Sequence, residues 1–78
     1  MTKTTELIEV ENDLLMLSHE LASARSRMHA CEFIALITPK THPHRILDHV
    51  QLADYHRQAA KRLAARIQAI KTDYPEAE

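Results

Sequence analysis

Through the first half of the chain, apolar residues recur at alternating spacings of three and four: Leu7, Val10, Leu14, Leu17, Leu21, Ala24, Met28, Cys31 and Ala35. This is a heptad seam, and it predicts one long amphipathic helix with a face pressed against a neighbour. A second apolar set, Ile8, Leu15, Ala22 and Phe33, lies off that seam, with Leu36 and Ile37 close by. A helix with two apolar stripes calls for two neighbours. The second half of the chain offers one main stripe, read as Leu52, His56, Ala59, Ala60, Leu63, Ile67, Ile70 and Tyr74. It can cover only one stripe of the first helix.

Breakers fix where the helices end. Glycine is absent, and the three prolines are Pro39, Pro43 and Pro75. Proline lacks an N–H and clashes with the preceding turn, so the segment Thr38-Pro39-Lys40-Thr41-His42-Pro43 is the one interior break. Thr4 or Thr5 can cap the first helix, whose first turns carry Glu6 and Glu9 at the positive end of the macrodipole. The expected elements are a helix over about 5–37, a turn over about 38–43, and a helix over about 44–74 that opens at Pro43 and stops before Pro75. The fold class is therefore all-α, a single two-helix antiparallel hairpin.

Charge changes this picture in one respect. The net formal charge is only −1, yet Glu6 to Glu20 carry five acids and no Lys or Arg, while Arg57 to Lys71 carry five bases and no acid. Antiparallel packing sets the acidic start beside the basic end, with Glu20 expected near Arg62. Exposed pairs of this kind contribute about 0–1 kcal/mol each and act mainly against wrong registers. A chain of 78 residues buries only a thin core, and its lone Cys31 cannot form an internal disulfide. Self-association is the natural supplement, with two hairpins forming a four-helix bundle. The expected form is a homodimer joined through Ile8, Leu15 and Phe33, with Leu36 and Ile37 nearby.

The chemistry-bearing residues are few. Six histidines invite a metal reading, and His42, His44 and Asp48 could converge on one point. No second Cys or paired His completes a recognised zinc framework, so no metal or other cofactor is expected. Cys31 and His29 are two apart and project from different parts of a helix, which argues against a thiol–imidazole pair. Without glycine there is no phosphate-cradling loop, and the chain is not expected to be an enzyme. The polar N-terminus leads into no apolar run typical of a signal peptide, and no stretch approaches a membrane span, so a cytoplasmic protein with no membrane partner is expected.

These features define a small protein-binding module, an adaptor, chaperone or inhibitor, acting through the apolar helix face of Ile8, Leu15, Ala22, Phe33, Leu36 and Ile37. The alternative is a dimeric nucleic-acid-binding regulator using Arg57, Lys61, Arg62, Arg66 and Lys71 of the basic second helix. Those bases flank the apolar stripe on both sides instead of forming one row, and no set of aromatic residues offers a stacking platform. The protein-binding reading is the better fit.

Overall fold

The structure, a computed structural model, describes residues 4–77. Two helices account for almost all of it: α1, Thr5–Ile37, and α2, Pro43–Asp73. They pack side by side as an antiparallel hairpin measuring 62 × 15 × 12 Å. The described residues contain no strand.

Each helix end has a local cause. Thr4 caps α1, its Oγ1 accepting from the Leu7 N–H at 3.2 Å, which satisfies one of the orphan donors of the first turn. Thr38 ends α1 in extended conformation ahead of Pro39, and both its N–H and its hydroxyl donate to the Ile34 carbonyl. The turn closes with the His42 N–H donating to the Pro39 carbonyl at 2.9 Å. Pro43 then opens α2 at a position where its missing N–H costs nothing. At the far end the Ala77 N–H donates to Tyr74, folding the tail back toward the helices.

The seam of α1 is the one its spacing predicts, from Leu7 through Ala35. The seam of α2 differs from the expected stripe in phase near the turn. Ala53 is buried there, with Ile46 and His49 half-buried, while Leu52 is 46% exposed. The remaining expected members, from His56 to Tyr74, are all at least half-buried. Composition along the seam is graded. Toward the chain ends Leu14, Leu17 and Ile67 form the core, with Val10, Leu21, Leu63, Ile70 and Ala77 packed against it. Toward the turn the buried positions are alanines: Ala24, Ala53 and Ala60.

Candidate functional site

The outer face of α1, opposite the seam, is where the molecule departs from an ordinary solvated hairpin. From Asn12 to Ile37 this face consists of Asn12, Leu15, Met16, His19, Ala22, Ser23, Ser26, His29, Ala30, Phe33, Leu36 and Ile37, all exposed. It holds no Asp, Glu, Lys or Arg. Every acid and base of α1 in that span, Asp13, Glu20, Arg25, Arg27 and Glu32, borders the seam instead. The outer face of α2 provides a control within the same molecule. It carries Asp48, Asp54, Lys61 and Arg62 among Gln51, Gln58 and Gln68, as a face in water should.

The predicted partner-binding residues from Leu15 to Ile37 fall on this uncharged face, whereas Ile8 lies on its continuation toward the N-terminus, which carries exposed Glu9. Leu36 is 83% exposed, Phe33 and Ile37 are 60%, Leu15 is 59%, and Ile8 is 48%. Ala22 is exposed between them. Met16, 61% exposed, belongs to the same surface and was missed. It stands between Leu15 and Leu17, one turn from Asn12 and His19, where hydropathy alone does not set it apart. Where α1 meets the turn, the apolar surface continues onto α2 as a groove of about 500 Å³. Leu36, Ala35, Ile46, Val50 and Ala53 line it, with Glu32, Asp54 and Arg57 at its edge.

The basic residues of α2 do not gather into one surface. Arg57 is held by two carboxylates, Asp54 at 3.3 Å and Glu32 of α1 at 3.6 Å. Lys61 and Arg62 are on the outer face, whereas Arg66 and Lys71 border opposite sides of the seam. Glu20, expected near Arg62, lines a groove with Asp13, Met16, Leu17, Arg66 and Ile70. At the chain ends the Tyr74 hydroxyl donates to Glu6 Oε1 at 2.6 Å, joining the first turn of α1 to the end of α2. That hydrogen bond, with the Glu6 charge behind it, raises the Tyr74 phenol above its ordinary value of 10.0.

The histidines are dispersed. His56 sits half-buried in the seam with its ring edge-on to Tyr55, centroids 5.3 Å apart. His29 lies 3.8 Å from Glu32 on the exposed side of α1. Among the described residues no group of three or more His, Cys, Asp or Glu is placed to hold a metal ion, so His42, His44 and Asp48 do not form such a set. Cys31 is a free thiol half-buried in the α1 seam. No helix among the described residues is long and apolar enough to cross a membrane.

No protein-family model matches the chain, and neither a curated protein nor a solved structure is significantly similar to it.

Proposed function

We propose that this hairpin is a cytoplasmic protein-binding module, an adaptor, chaperone or inhibitor, whose contact surface is the outer face of α1. The observation that carries this reading is the outer face of α1 from Asn12 to Ile37, which holds no Asp, Glu, Lys or Arg, set beside the charged outer face of α2. Apolar side chains scattered singly over a soluble protein need no partner. A helix face free of charge from Asn12 to Ile37 is different, because water would stabilise charges there at no cost to the fold. Such a face fits the mode in which a helix lays its apolar side against a groove or another helix.

The borders of the same face carry three acids, Asp13, Glu20 and Glu32, against two bases, Arg25 and Arg27, a balance that offers phosphate no net attraction and favours a protein over a nucleic acid. A photo-crosslinking side chain at Leu15 or Leu36 should capture protein in the native host, and the same group at Gln58 on α2 should not. Equal yields from the two helices, or none from α1, would reject the proposal. Binding of generic nucleic acid that falls steeply with salt and disappears on Lys61→Ala with Arg66→Ala would replace it with the nucleic-acid reading.

A further inference from the structure

We infer that the occupant of the α1 outer face is a second copy of this chain, packed antiparallel about a two-fold axis beside Ser23. The inference keeps the reading of that face as a protein contact but assigns it to self-association, so a different target protein would meet the dimer elsewhere.

The isolated hairpin is too extended for its mass. Its accessible surface is 6112 Å², whereas a compact monomer of 9.0 kDa shows about 4,900 Å² by the usual scaling. The excess of roughly 1,200 Å² exceeds the ~800 Å² that each partner gives to a standard stable interface. The radius of gyration agrees, at 17.5 Å against about 11–12 Å for a compact domain of this length. Folding a second copy onto the long face of α1 removes the excess along a surface that is free of charge from Asn12 to Ile37 and carries only Glu9 at its end.

The distribution of bulk along the face is what a two-fold contact needs. Small residues, Ala22, Ser23 and Ser26, occupy the middle and let two backbones approach closely. Bulk lies on either side of them. An axis at Ser23 sets Leu15 and Met16 against the partner's Ala30, large into small, and places Ile37 at the rim of the contact, beside the partner's Ile8 and Glu9. An isologous contact demands such self-complementarity, because every residue meets its counterpart's surroundings twice.

Charge selects the same register. Glu20 and Arg27 border one edge of the face on opposite sides of Ser23, so the antiparallel arrangement brings Glu20 beside the partner's Arg27, and does so twice. A parallel arrangement would align Glu20 with Glu20 and Arg27 with Arg27. On the other edge the axis brings Glu11 toward the partner's Glu32, whose charge is already answered by Arg57 at 3.6 Å.

Sedimentation should report twice 9.0 kDa, falling to the single mass in Leu15→Glu and in Ser26→Arg with the helical circular dichroism retained. Ser26 is exposed in the hairpin, so its substitution keeps the test open where Leu15→Glu fails to fold. In a Cys31→Ser background, Ser23→Cys should oxidise rapidly to a disulfide-linked dimer. A mixture of Leu15→Cys and Ala30→Cys chains should cross-link to each other, and Gln58→Cys chains should not cross-link. A single mass at every accessible concentration overturns the inference. So does self-linking of Leu36→Cys as fast as Ser23→Cys, which marks a parallel pair. If the chain is monomeric while a Leu15 cross-linker still captures another protein, the second copy is excluded and the protein-binding reading survives. If that cross-linker captures nothing at all, both fall.

Discussion

Leu14 and Leu15 are adjacent in sequence and differ in almost everything else. Leu14 is 3% exposed against Ile67, while Leu15 is 59% exposed on the outer face. Leu14→Ala should cost about 2–4 kcal/mol through lost burial and an imperfectly closed void, and thermal melts should show that loss at any protein concentration. Leu15→Ala removes contacts only with whatever covers the outer face. Its destabilisation should therefore shrink on dilution, since association raises apparent stability by mass action. A Leu15→Ala loss as large and as concentration-independent as that of Leu14→Ala would count against an intermolecular role. Tyr74 supplies a second test at this scale. Its phenol is raised because the neutral form donates to Glu6, so the stability that contact gives is complete below pH 10.0 and lost as pH rises through the elevated value. In a Tyr55→Phe background, Glu6→Gln should lower the titration midpoint seen in phenolate absorbance toward 10.0. An unchanged midpoint would mean that the terminal clasp does not form in solution.

The two helices were not equally legible in the sequence. Every seam position of α1 up to Ala35 is apolar and has polar or charged neighbours often enough to fix its phase, so the structure matches it residue by residue. The near-turn half of the α2 seam contains Ala53 and two histidines, His49 and His56, while Leu52 and Tyr55 stand just beside it. Hydropathy alone points to Leu52, yet the buried residue there is Ala53, in the stretch where Ala24 and Ala60 are also the buried positions. Packing volume, not transfer energy, decided that position. Ala53→Leu should accordingly destabilise the hairpin by about 1–3 kcal/mol through overpacking, measured by denaturant unfolding, whereas Leu52→Gln should change little. Equal effects would put the seam back where hydropathy suggested. The candidate site was partly legible for a related reason. Its apolar members stand out from the pattern, but the missing charge between them is a property of a face, and it acquires meaning only when the seam's phase and the contrasting face of α2 are both known.

At the scale of the whole molecule, a rod 62 Å long and 12–15 Å across has no interior in the usual sense. Among the described residues each helix has a single neighbour, and even Leu14 and Ala53 keep 3% of their surface in contact with water. The turn and the helix ends were readable because prolines and caps are local signals. The grading of the seam, heavy toward the chain ends and light toward the turn, was not, since it depends on which residue of α2 meets which residue of α1. That grading governs how the hairpin comes together. A helical hairpin with its best contacts beside the turn can zip up from there, each step closing a short loop. Here the turn-proximal alanines offer little reward for early pairing, and the layer of Leu14, Leu17 and Ile67 forms only after some fifty intervening residues have been brought round, an entropic cost that grows with the logarithm of loop length. Refolding is therefore expected to be slower than for a hairpin of equal length with its bulk beside the turn, and Leu14→Ala should slow it in stopped-flow measurements if the two ends must meet first.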